Sequence, residues 1–142
     1  MNMWKQIGLG SAVLIFCLGV HVLVLGSGVK AFSSLGKAGY FEGGTGEAFV
    51  LISAATGVVI VGHTFQVWIW ALVFRLLGAL SNLSEAVYFA LVTTTTLGYG
   101  DITLDARFRV TGAMAAVNGL ITYGLSTAFL VGVAGGIVES LT

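Results

Sequence analysis

Thr93-Thr94-Thr95-Thr96-Leu97-Gly98-Tyr99-Gly100-Asp101 is the stretch on which the fold turns. A threonine run followed by two glycines disfavours a continuous helical ladder, so this segment is predicted to be extended backbone. It lies in a chain of 142 residues that is 57% hydrophobic and only 8% charged. The mean hydropathy is +1.01, and so few polar side chains cannot cover a soluble surface. The composition is that of an integral membrane protein. Extended backbone at membrane depth is tolerated only where protein buries it or water bathes it, because its amides and carbonyls otherwise lack partners.

Immediately upstream, Asn82 followed by Glu85 is a capping-box signal with Asn in place of Ser or Thr, and it predicts a helix over residues 84–94. Such a helix is about 16 Å long at 1.5 Å per residue, half the thickness of a ~30 Å hydrocarbon core. A half-length helix followed by extended chain is expected to dip into the membrane, turn and return to the side it came from. Its C-terminal end, carrying about half a negative charge, then points toward the membrane centre and favours a cation there. Residues 102–109 return to water through Asp105, Arg107 and Arg109.

Three longer uncharged runs flank this unit. Residues 7–29 follow an interfacial anchor of Trp4 and Lys5, and residues 49–74 are closed by Arg75. Residues 110–138 exceed the hydrocarbon thickness and are expected to tilt or project beyond it. A cleaved signal peptide competes for the first run, which is nevertheless longer than the usual 7 to 15 apolar residues. The expected fold is an all-α membrane protein of three transmembrane helices, with the re-entrant helix and extended segment between the second and third. Residues 30–47, with Lys30, Ser33, Ser34, Lys37 and Glu42, form a polar stretch expected to be a flexible connection. Trp68 and Trp70 near the end of the second run suit a membrane interface. His21, His63 and Gln66 lie inside spans and are expected to hydrogen-bond across to neighbouring helices. Along the third run, Gly132 and Gly136 form a small-xxx-small pair that permits close helix approach.

The formal net charge is zero and the six cations are scattered, which excludes a nucleic-acid footprint. No soluble partner is indicated. Cys17 is the one cysteine, so neither a disulfide nor a cysteine metal site can form within a chain. Neither early run carries arginines at every third position, the pattern of a voltage sensor.

Residues 95–101, Thr-Thr-Leu-Gly-Tyr-Gly-Asp, resemble the selectivity filter of potassium channels, whose usual form is Thr-Val-Gly-Tyr-Gly-Asp. Residues 63–71, Leu77-Gly78-Ala79 and residues 116–128 also look like small bacterial pore-loop proteins of the two-helix potassium channel type. The resemblance covers residues 79–136 and implies an N-terminal transmembrane unit, 1–47, and a pore domain, 48–142. Within the latter it implies an outer helix over 48–76, a pore helix over 84–94, the filter at 95–101 and an inner helix over 108–138. In the family, four filter strands line a tube whose carbonyls replace the hydration shell of K+. The implied K+ ligands are the carbonyls of Thr96, Leu97, Gly98 and Tyr99, with the Thr96 hydroxyl as the innermost ring. Gly100 and Asp101 support the filter, and one strand per chain implies a homotetramer in a lipid bilayer, the bacterial cytoplasmic (inner) membrane. Leu97 replaces the common valine. Val92 stands where some relatives place a glutamate bonded to the filter aspartate, so Asp101 needs another partner; Tyr88, one helical turn before Val92, is the expected one. Gly119 is the implied gating hinge, and Leu120, Tyr123, Thr127 and Val131 the implied cavity lining.

The family places the filter toward the outside, hence the N-terminus outside as well, although counting positive charges favours the opposite orientation. On the same fold the pore can be a non-selective cation channel or a non-conducting scaffold. Gly98-Tyr99-Gly100-Asp101 also fits the Gly-x-Gly-Asp pattern of intramembrane aspartyl proteases. That chemistry needs two converging carboxylates, and neither early span holds an acidic residue.

Overall fold

The computed structural model describes residues 1–37 and 44–141. Four helices follow in order: α1 (Met3–Lys37), α2 (Thr45–Leu76), α3 (Leu83–Thr94) and α4 (Arg109–Leu141). Helices α1, α2 and α4 carry apolar segments of 33, 31 and 30 residues, each long enough to cross a membrane. The 12 residues of α3 reach about 18 Å, half that thickness. The protein is an all-α membrane protein with three transmembrane helices and one short helix between the second and third.

Helix α1 corrects the flexible connection expected from residue 30. It continues unbroken through Lys30, Ser33 and Ser34 to Lys37. The hydroxyls of Ser27 and Ser34 donate to the carbonyls of Val24 and Ala31 one turn back, so the serines satisfy themselves on the helix instead of ending it. The middle of the polar stretch, Glu42 and Gly43 included, lies outside the described residues. Helix α2 takes up the chain after Gly44 and ends where Gly78 enters the left-handed region at φ +66°. There the Gly78 amide donates to Arg75 and that of Ala79 to Phe74, a closing turn that a side chain at position 78 would strain.

Helix α1 packs along both α2 and α4, and α3 is wedged between α2 and α4 at one end. Trp70, Phe74, Ala86, Ala90, Leu104, Phe108, Ala115 and Cys17 form the buried core at that end. The Trp70 and Phe74 rings are 5.7 Å apart, and Phe74 meets Phe89 of α3 edge-on at 5.1 Å. Trp70 therefore does not serve as an interfacial anchor. It is fully buried against the short helix, while Trp68, on the other side of α2, stays half-exposed. The loop after residue 101 is likewise pinned by Leu104 and Phe108, both buried, while its charged residues face outward. Among the described residues, Gly132 and Gly136 bring no helix close. A Cβ at either would meet nothing within 4 Å, and both line an open apolar groove of about 660 Å³ between α1, α2 and α4.

Candidate functional site

Helix α3 begins where the side chain of Asn82 accepts the Ser84 amide at 2.9 Å. It ends at Thr94 and Thr95, whose hydroxyls bond back to the carbonyls of Ala90 and Leu91, both at 2.7 Å. The chain then folds back on the helix end. The Thr95 amide donates to Leu91, that of Thr96 to Thr93, and those of Leu97 and Gly98 both to the Val92 carbonyl at 3.0 and 3.1 Å. Every amide from 95 to 98 is thus turned toward α3. Among the described residues, no hydrogen bond is accepted by the carbonyls of Thr96, Leu97, Gly98 or Tyr99.

Backbone handedness explains this one-sidedness. Thr96, Gly98 and Gly100 have φ of +60°, +54° and +78°, while the residues between them lie in the ordinary negative region. Alternating left- and right-handed residues rotate successive carbonyls toward one side, whereas an ordinary strand points them alternately to both. Glycine adopts the left-handed region freely. For Thr96 it costs about 1–2 kcal/mol, strain that is held at the innermost position of the segment.

Asp101 closes the outer end. Its Oδ2 accepts the Tyr88 hydroxyl at 2.6 Å and its Oδ1 accepts the Ile102 amide at 3.0 Å. The Tyr88 hydroxyl, above all, holds the Asp101 carboxyl below the usual carboxylate range, and the backbone amides add to this. The structure thus brings Tyr88 and Asp101 together across 13 residues of sequence, and Val92, one turn further along α3, is buried.

The opposite wall is α4. Its buried face runs Thr111, Ala115, Asn118, Thr122 and Ser126, spaced by three and four. Leu120, Thr127 and Val131 lie on the opposite, exposed side. Tyr123 is turned toward α2, its ring stacked on His63 at 4.4 Å. Gly119 sits where α4 crosses the end of α3. A Cβ there would lie 1.8 Å from the Thr94 carbonyl oxygen, so no other residue fits without separating the helices. The sequence signal for this contact, a glycine with no proline nearby, pointed to a hinge and gave no hint of the backbone against it.

Polar side chains fasten the helices behind the segment. Gln66 Oε1 accepts from both Asn118 Nδ2 at 3.0 Å and Thr122 Oγ1 at 2.9 Å, joining α2 to α4. His63 Nε2 and His21 Nε2 meet the same Ser126 hydroxyl at 3.1 and 2.9 Å. The expected interhelical bonds of His21, His63 and Gln66 are therefore present. Their partners Asn118, Thr122 and Ser126 recur every fourth residue along α4, a polar stripe that is present in the sequence but names no partner there.

Among known proteins, residues 49–134 match the ion channel family. No curated protein and no solved structure matches the chain. Because the matched residues run from α2 through the one-sided carbonyl segment to α4 and make up more than half of the chain, the protein belongs to the ion channel family, of the two-helix pore-loop type, and is a channel rather than an enzyme.

Proposed function

We propose that four copies of the chain surround a common axis and conduct dehydrated K+ through a tube formed by residues 96–99. The observation that carries this is the separation of donors from acceptors: amides bonded to α3, carbonyls facing away with no partner among the described residues. Such a row of carbonyls cannot stay unpaired in a membrane, and a dehydrated cation supplies what they lack. One chain contributes one wall, so closure needs further copies. Leu97 and Tyr99, 55% and 69% exposed on a single chain, are then covered by neighbouring subunits. The C-terminal end of α3 adds its partial negative charge near the inner end of the tube. Leu120, Thr127 and Val131 line the vestibule, Gly119 is the point at which α4 bends, and the bacterial cytoplasmic membrane is the setting.

A non-selective pore is the second reading, favoured by Leu97 in place of the usual valine. Both are decided by the full chain in liposomes under opposing K+ and Na+ gradients. Barium-blocked K+ flux exceeding Na+ flux at least about tenfold supports the proposal, equal fluxes support the non-selective pore, and no flux overturns conduction.

A further inference from the structure

The family match begins at residue 49 and leaves α1 outside it, yet α1 is bound to α4 through two buried polar side chains. Gln6, 4% exposed, accepts the Val110 amide at 3.0 Å with Oε1, and its Nε2 donates to the Ala106 carbonyl at 3.5 Å. His21, fully buried, meets the Ser126 hydroxyl at 2.9 Å. Val110 lies nine residues before Gly119 and Ser126 seven after it, so α1 holds α4 on both sides of that glycine. We propose that α1 is a brace on the inner helix, and that His21, acting through Ser126, is a positioning residue that keeps the part of α4 beyond Gly119 against α1 and α2.

The proton count supports a single cooperative joint. Ser126 has one hydrogen to donate and two imidazoles in reach, His21 and His63. At most one imidazole can accept that hydrogen, so at least one donates to Oγ, and the two bonds are coupled through the one hydroxyl. The two rings lie 5.0 Å apart, and His63 is further covered by Tyr123. The backbone is shaped to admit His21: a Cβ on Gly62 would come within 2.7 Å of its Nδ1. An imidazole buried in a transmembrane bundle is costly, and here its hydrogen bond is made to α4 beyond Gly119, the helix proposed to bend there. Displacing the lower half of α4 about Gly119 breaks this joint, so α1 sets how often that half is released.

The proposal rests on α4 as the pore-lining helix, and its test separates the two. In planar bilayers, His21→Phe and Ser126→Ala in the full chain each change open probability about fivefold or more, with unitary conductance unchanged. The double variant goes no further than the larger single change, and His21→Gln, which keeps a donor, restores the native value. Unaltered open probability in both single variants, or a change of conductance in step with it, overturns the brace. Hydrogen exchange of the same full-length proteins in nanodiscs gives a readout independent of conduction. Residues 120–138 exchange faster in Ser126→Ala, the smaller change, while residues 109–118 keep the native rate; identical exchange overturns the proposal. A silent native channel sinks K+ conduction and leaves this second measurement to decide the brace.

Discussion

Residues 95–101 and the seam between α1, α2 and α4 treat polar atoms in opposite ways. In the first, donors are consumed by α3 and the carbonyls of residues 96–99 are left with no partner among the described residues. In the second, side-chain groups are shared: Gln66 Oε1 accepts two donors, and the one Ser126 hydroxyl meets two imidazoles. A membrane supplies no hydrogen bonds of its own, so the first region leaves its acceptors open to a cation while the second turns side chains to neighbouring helices. Gly119 is where the two regions touch, with the Thr94 carbonyl pressed against the helix that the seam holds.

The sharpest way to break this arrangement is at that contact. Gly119→Ala places a methyl group 1.8 Å from the Thr94 oxygen. Overpacking of this kind costs about 3 kcal/mol per chain, and ion flux and the melting temperature in detergent should both fall sharply. Native flux in that variant would show that α3 and α4 are not pressed together as described.

Gly98→Ala comes next. Its φ of +54° penalises any side chain by about 1–2 kcal/mol and turns carbonyls away from the common side. Flux should be lost with assembly retained on size exclusion, in contrast to Gly119→Ala, where the melting temperature falls as well.

Tyr88→Phe removes one bond to Asp101 and leaves the seam untouched. Conduction is expected to persist and to inactivate severalfold faster in bilayer recordings. The sign of the pH effect follows from the lowered pKa of Asp101, whose ordinary value is 3.8. Stability from a depressed carboxylate is fully present above the unfolded value and lost only as pH falls through the folded one. Native inactivation measured between about pH 7.5 and about pH 5 on the filter side should therefore change by less than about twofold.

The smallest effect is expected in the seam. Gln66→Leu withdraws the acceptor from Asn118 and Thr122, and Thr122 retains the carbonyls of Asn118 and Gly119 as alternatives. Interhelical bonds average about 0.6 kcal/mol each, so a loss of about 1 kcal/mol in unfolding free energy with unchanged ion selectivity is the expected outcome. Altered selectivity would show that the seam reaches the carbonyl segment and would blur the contrast between the two regions.

Much of the local structure is legible in the sequence alone. Apolar runs of spanning length, the Asn82 cap and the glycines of residues 98 and 100 are written in neighbouring residues, because length, capping and handedness are local properties. The extent of α1 was not, since Ser33 and Ser34 look like a linker until a serine hydroxyl finds the carbonyl behind it. Trp70 was misplaced for a related reason. A tryptophan near a span's end looks the same in sequence whether it meets lipid headgroups or, as here, Phe74 and the short helix.

By itself, then, the sequence determined three spans, one half-length helix and a segment unable to be helical. Tertiary structure alone decided what lies against them. Gly119 is set against Thr94 across 25 residues, and His21 against Ser126 across 105. Periodicity within one helix says which face is polar, but the partner of that face is chosen by how the helices pack, and no local pattern records it.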